Sequence, residues 1–362
     1  MDGWEEHDPA GIALEKNIAA LEGGRHALVF SSGLAATCAI TKLLQPGDHV
    51  LVSEDIYGGA YHLIGSILAQ YKVSVSYVDT ANIEEVKNAI RKNTKLLWLE
   101  SLSNPFLILA DIKGLADLAQ QHKIISVVDN TVATPCSQKP LALGADIVLH
   151  NSVKYLSGRT DIITGAIATN SQDLLEQLQA HHHAFSDTVE SIDCFGILKG
   201  LRTIADRVKQ QEKNAKKIAN FLCGHSSVHA VYYPGLPSHG QHQLACKQMS
   251  GFGSTLIFQL KNGSEAAIRL LREIKLFALP EIIDHADPDF SQCTKIRSTI
   301  SHAKVPFHIQ EKGKLNGAET VIRLTIALEN VDELINDLST AMQAVDHQLV
   351  QFPETVDLRE CI

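Results

Sequence analysis

Aromatic residues make up only 6% of the 362-residue chain, and Met (3) and Trp (2) are scarce. A core of any size must therefore be built from branched aliphatic side chains. No apolar run approaches the roughly 20 residues that cross a bilayer, so no membrane partner is expected. Nor is there a basic run. Asp and Glu (41) outnumber Lys and Arg (32), giving a formal net charge of −9, which argues against a nucleic-acid partner. The seven Cys are odd in number and scattered, with no CxxC pair. That pattern reads as reduced thiols and a cytoplasmic location. The acidic start MDGWEEHDPAG lacks the basic region and apolar core of a secretory signal. His181, His182 and His183 are consecutive on a polar helical run. Neighbouring helical residues point in different directions, so the triplet reads as a solvated face and no metal site is expected.

What the chain does have is alternation. Short, almost purely apolar runs at 26–31, 49–53, 73–78, 95–100, 124–129 and 165–169 are separated by helical patterns at 33–44, 59–70, 83–92 and 113–122. This predicts an α/β fold with a mostly parallel sheet covered on both faces. A polar-faced helix at 204–223 bridges to a smaller C-terminal α/β unit, with strands at 228–233, 254–260 and 321–327 and helices at 264–273 and 331–345. The domains are accordingly read as 1–203 and 204–362. Residues 284–316 show no clear period and receive no assignment.

Two strand ends carry chemistry. The run Ile147-Val148-Leu149 breaks into polar residues around Lys154, and IISVVD ends in Asp129. An ammonium at the mouth of a buried strand is costly. Such a lysine can lose its proton and form a Schiff base with an aldehyde. A carboxylate on the neighbouring strand end suits the pyridinium nitrogen of pyridoxal 5'-phosphate, and together the two residues describe a site for that cofactor. For each residue alone, a loop lysine or a turn aspartate is the commoner reading.

Several segments carry a resemblance to a known family. They are FSSGLAA from Phe30, DIYGGAYHL from Asp55, LESLSNPFLILADI from Leu99, VVDNTVATP ending at Pro135 and VKYLSGRTD ending at Asp161. LKGLRTIADR from Leu198, YYPGLPSHGQHQLACKQMSGFG from Tyr232 and VIRLTIALEN from Val321 complete the set. In this order, over nearly the whole chain, they resemble the Cys/Met-metabolism family of pyridoxal-phosphate enzymes, which includes cystathionine γ-synthase, cystathionine β- and γ-lyases and methionine γ-lyase. The resemblance implies the aspartate-aminotransferase-like (type I) fold. It also implies an amino-acid substrate and an assembly, either a homo-oligomer (dimer or tetramer) or a hetero-oligomer with a homologue.

Residue by residue, the resemblance implies that Lys154 holds the aldehyde and moves the Cα proton, and that Asp129 pairs with the ring nitrogen. Tyr57 would stack on the ring. The amides of Gly33 and Leu34, at a helix start, would take the phosphate together with Asn151. Asn104 and Arg323 would bind the substrate, the Arg323 guanidinium donating to the substrate's carboxylate. The implied activity is carbon–sulfur lyase chemistry: β/γ-elimination on a cystathionine-like or cysteine/methionine-like substrate. The alternatives are a γ-replacement transferase and a weakly active or non-catalytic paralogue serving as a partner subunit. The last draws on four departures from the family pattern. Gly3 and Glu5 stand where a tyrosine and an arginine usually reach a neighbour's phosphate. Val153 replaces a threonine before the lysine. Arg159 replaces a histidine and would restore some positive charge. Ile282, Ile283, Asp284 and His285 replace a Ser-Leu-Gly-Gly substrate loop.

Overall fold

Pro9 cannot donate a backbone hydrogen bond, which suits the first turn of a helix, and Asp8 caps that turn by accepting from the amides of Ala10 and Gly11. Helix α1 therefore spans Pro9–Glu22, starting before the first apolar position, until Gly23 turns the chain with a left-handed φ of 71°. The computed structural model describes residues 8–56, 58–103, 106–151, 154–184, 188–279, 297–302 and 321–351. Within them, seven strands form one sheet: β1 (His26–Phe30), β2 (His49–Ser53), β3 (Ser74–Val78), β4 (Thr94–Glu100), β5 (Ile125–Asp129), β6 (Ile147–His150) and β7 (Gly165–Thr169), in the order β1-β7-β6-β5-β4-β2-β3. The pairs from β3 through β6 are parallel, while β7 runs antiparallel to both β6 and β1.

Strand alternation splits the core. Val127, Ile147 and Leu149 join the cluster under helix α2 (Gly33–Thr41). Val148, Ala166 and Ala168 face α1 and the helix Ser191–Leu201, and Val128 and Leu99 face the helix Ile112–Gln121. Burying a sheet on both faces demands apolar runs, which is why the strands were legible.

A second sheet has the order β10-β11-β9-β8, with β8 (Val228–Tyr232), β9 (Thr255–Leu260), β10 (Thr299–His302) and β11 (Val321–Thr325). It packs on the helices Ile204–Cys223, Gly263–Glu273 and Val331–Gln351. Strand β10 lies inside the stretch that showed no period. Its four residues, Thr-Ile-Ser-His, are held by pairing with β11, a tertiary contact that local pattern does not encode. His182 also departs from expectation. Its Nε2 bonds the Val29 carbonyl at 2.8 Å, and its ring packs edge-on against Phe30. It is thus a packing residue of the helix Gln172–Ala184 rather than part of a solvated face. Among the described residues, no cluster of three could hold a metal ion.

Glu15 shows how α1 is tied to the sheet. Its carboxylate accepts from the Val29 amide at 3.2 Å, and burial pushes its pKa from 4.5 up to about 7. The folded chain therefore holds this proton more tightly than the unfolded chain does. The associated stability is fully present below the unfolded value of 4.5 and drains away as pH rises through about 7. A rise of that size corresponds to at most about 3 kcal/mol. Glu15→Gln is expected to melt like the wild type near pH 4.5 and at a higher temperature near pH 8. Identical melts at pH 8 would show that Glu15 ionises without cost.

Candidate active site

Registers bring the chemistry to one edge of the large sheet. Glu100 pairs with Asp129, Asp129 with Leu149, His150 with Ala166, and Phe30 with Gly165. The carboxyl ends of β4, β5, β6 and β1 therefore lie side by side. In open α/β sheets, that edge is where ligands bind.

Asp129 ends β5 and is 4% exposed. Its Oδ1 accepts from the Thr131 amide at 3.0 Å and from the Thr131 hydroxyl. Burial pushes its pKa up, and Thr131 and the nearby His150 work against that rise. A cation placed against this carboxyl would favour its ionised form. The Thr131 hydroxyl oxygen also accepts the Asn151 amide at 2.7 Å, which couples the end of β5 to the segment leading to Lys154.

Lys154 opens the helical turn Lys154–Ser157, directly beyond β6. That turn is anchored from below by Arg207 of the helix Ile204–Cys223. The guanidinium donates to the carbonyls of Leu156 (2.6 Å), Gly200 (3.1 Å) and Tyr155 (3.5 Å). Gly200 is obligatory here, since a Cβ would lie 1.8 Å from the Ser157 carbonyl oxygen.

Helix α2 begins at the same edge. Ser32 caps it, accepting the Ala35 amide through its hydroxyl and the Ala36 amide through its carbonyl. The amides of Gly33 and Leu34 head the helix, where backbone donors have no intrahelical partner. Gly33 is pressed against Asn151 so closely that a Cβ would sit 1.9 Å from the Asn151 carbonyl oxygen. The Asn151 side-chain nitrogen is buried and has no hydrogen-bond partner among the described residues. A buried donor in that state calls for an acceptor beyond the described residues, and a bound anion would be one. Two helix-start amides and an unpaired amide donor beside them form an anion cradle of the kind a phosphate takes. With Asp129 on the adjacent strand end, these residues fit pyridoxal phosphate.

Arg323 lies on β11, opposite Ser301 and Ile257. By alternation it shares a face with Val321 and Ile257. Those two pack against Leu102 and Ala133, which follow the ends of β4 and β5. The arginine thus faces the carboxyl edge of the large sheet.

Other expected site residues fare differently. Tyr57 and Asn104 lie outside the described residues, as do Gly3, Glu5, Val153, Asp284 and His285. Arg159, read as a source of positive charge for the phosphate, instead forms an ion pair with Asp161. Local sequence gave no sign of Thr131, Arg207, or the buried pair Glu22 and His150. Apart from the Thr131–Asp129 bonds, their partners come from distant segments, and only a carboxylate and an imidazole at fully buried positions would have flagged the last two.

A family profile described as "Cys/Met metabolism PLP-dependent enzyme" matches residues 6–343. The chain is 38% identical over 335 residues to a cystathionine gamma-lyase of Dictyostelium discoideum, covering 92% of this chain and 85% of that one. It is 43% identical over 269 residues to a probable cystathionine gamma-synthase of Herpetosiphon aurantiacus, covering 74% and 84%. Among solved structures, metB from Corynebacterium glutamicum superposes with a TM-score of 0.85 at 34% identity, covering 95% of this chain and 88% of that one.

Proposed function

Since the chain belongs to the Cys/Met metabolism family of pyridoxal-phosphate-dependent enzymes, we propose that it is a carbon–sulfur lyase acting on a cystathionine-like or cysteine/methionine-like amino acid. The observation that carries this reading is the buried Asp129 carboxyl, joined through Thr131 to the Asn151 amide at the Gly33–Asn151 cradle, on the strand end beside the one that leads to the Lys154 turn. Bound there, the cofactor supplies an electron sink for charge that develops at the substrate's Cα. Asp129 would hold the ring nitrogen and favour its protonated form. Gly33, Leu34 and Asn151 would donate to the phosphate, and Tyr57 would supply an aromatic surface for the ring. Lys154 would hold the cofactor and serve as the base for the Cα proton. Arg323 and Asn104 would orient the substrate, the planar guanidinium suiting its α-carboxylate.

We read residues 1–203 as the cofactor-binding domain and 204–362 as the bridging helix and small domain. An oligomer is supported by apolar side chains left in solvent beside the lysine loop, Ile163 (78% exposed), Ile192 (74%) and Phe195 (50%). No helix among the described residues is long and apolar enough to cross a membrane. The free thiols of Cys38, Cys136, Cys194, Cys223 and Cys246 support a reducing, cytoplasmic setting.

Likeness to a probable cystathionine gamma-synthase gives the second reading, γ-replacement by a thiol. The two are separated by assaying the holoenzyme with sulfur amino acids alone, and with an activated homoserine with and without a thiol. A lyase is expected to release thiol, oxo acid and ammonia from the sulfur amino acid alone. Turnover only when both homoserine derivative and thiol are present would establish the transferase. No turnover with any pair, with cofactor bound, would favour the partner-subunit role.

A further inference from the structure

We propose that Glu22 is a positioning residue for the cofactor site, acting from the opposite face of the sheet. Its carboxylate sets the spacing of the two strand ends that lead to Asp129 and Lys154.

Glu22 is the last residue of α1 and is fully buried, as is His150. One oxygen, Oε1, makes both contacts that matter. It accepts from Asn130 Nδ2 at 2.9 Å and is hydrogen-bonded to His150 Nε2 at 2.5 Å. Asn130 follows Asp129, and His150 is the last residue of β6, just before the Asn151 segment that leads to Lys154. The β5–β6 ladder has its last pair at Asp129 and Leu149, followed by one bond from the Asn130 amide to the Leu149 carbonyl. The carboxylate therefore fastens the two strands at the point where the ladder stops. On the cofactor side, Thr131 bridges the same gap through Asp129 and the Asn151 amide.

The clamp extends sideways. Asn130 Nδ2 also donates to the Gln138 carbonyl at 3.0 Å, and Gln138 Nε2 donates to the Ser101 carbonyl beyond β4 at 3.0 Å. Three strand ends of the candidate site thus share one buried polar network. A carboxylate and an imidazole buried together are a poor way to gain stability alone, since apolar side chains of similar size commonly do as well or better. Here the cost is raised further, because Glu22 Oε2 and His150 Nδ1 are buried without hydrogen-bond partners among the described residues. What the pair provides is direction: hydrogen bonds fix the separation of the two strand ends, whereas apolar contact would let them slide.

The inference rests on the assignment of Asp129 and Lys154 to the cofactor, so the experiment tests that first. Borohydride reduction of the wild-type holoenzyme followed by peptide mapping is expected to place the label on Lys154. A label on another lysine overturns the assignment and the inference with it. Apo-protein of Glu22→Leu, Glu22→Gln, Asn130→Ala and Glu15→Gln is then titrated with pyridoxal phosphate. Visible absorption gives the dissociation constant, induced circular dichroism reports the pose of the bound ring, and thermal melts report stability. Glu22→Leu is expected to bind at least tenfold more weakly with reduced visible dichroism. Glu22→Gln, whose Oε1 still accepts from Asn130, should recover most of both. Asn130→Ala cuts one arm of the clamp and should weaken binding several-fold, which carries the test if Glu22→Leu does not fold. Glu15→Gln, on the same helix but bonded to β1, should match the wild type in affinity and dichroism. With Lys154 labelled, wild-type affinity and dichroism in Asn130→Ala and in any folded Glu22→Leu would overturn the inference, whatever their melting temperatures.

Discussion

Lys154→Ala is expected to abolish covalent attachment of pyridoxal phosphate while leaving the fold intact. The turn that begins at residue 154 is held through its carbonyls by Arg207, and Gly200 packs against Ser157. None of these contacts uses the Lys154 side chain, so its removal should change melting little. Losing the base alone should slow turnover by roughly 10²–10⁴-fold, and losing the cofactor's covalent seat should slow it more. Borohydride reduction and mass mapping of the variant read the first effect, and steady-state turnover reads the second. A reducible adduct of wild-type yield at some other lysine would remove Lys154 from the site.

Asp129→Asn should behave differently. Asparagine offers the same oxygen to the Thr131 amide, so the local turn survives and the cofactor should still attach to Lys154. The charge that keeps the ring nitrogen protonated is gone, and with it much of the electron sink. Loss of the Cα proton should slow on the order of 10²–10⁴-fold, with a smaller effect on substrate affinity. Near-normal exchange of the substrate's Cα proton with deuterated solvent would rule out this role. The apo form offers an independent check. Burial raises the folded pKa of Asp129, so the wild-type apo-protein holds that proton more tightly than its unfolded chain does. Stability from this group is full below the unfolded value of 3.8 and falls as pH climbs through the raised folded value. Apo Asp129→Asn should therefore be at least as stable as apo wild type at neutral pH, while added cofactor should protect the wild type more strongly than the variant.

Much of this site was legible because its carriers are strand ends. A doubly covered parallel sheet requires apolar runs, and the first polar residue after each run marks the functional edge, as at Asp129 and at the segment leading to Lys154. Gly33 was legible as a helix start, although its steric reason, the close approach of Asn151, appears only in three dimensions. Where reading failed, the controlling partner was either remote or chosen by side-chain direction and capping. Glu22 and His150 look like a helix-end acid and a strand-end imidazole until they are seen to meet across 128 positions of sequence. The charge of Arg159 is taken by Asp161, two residues away, a choice that depends on side-chain direction and not on spacing. Helix α1 starts at Pro9 because a cap at Asp8 and a proline, not hydrophobic period, set its start.

The antiparallel pairing of β1 with β7 also bears on how the chain is made. As the chain leaves the ribosome, β1 and the start of α2 emerge early, but the one strand that pairs with β1 among the described residues comes after β6. Until Gly165 emerges, the glycine that seats against Ser32 and Gly33 is missing, and β1 lacks its partner strand. The candidate phosphate cradle is thus completed by long-range closure, only after β7 has been made. A translational pause before residue 165 emerges would leave both edges of β1 open to pairing with other nascent chains.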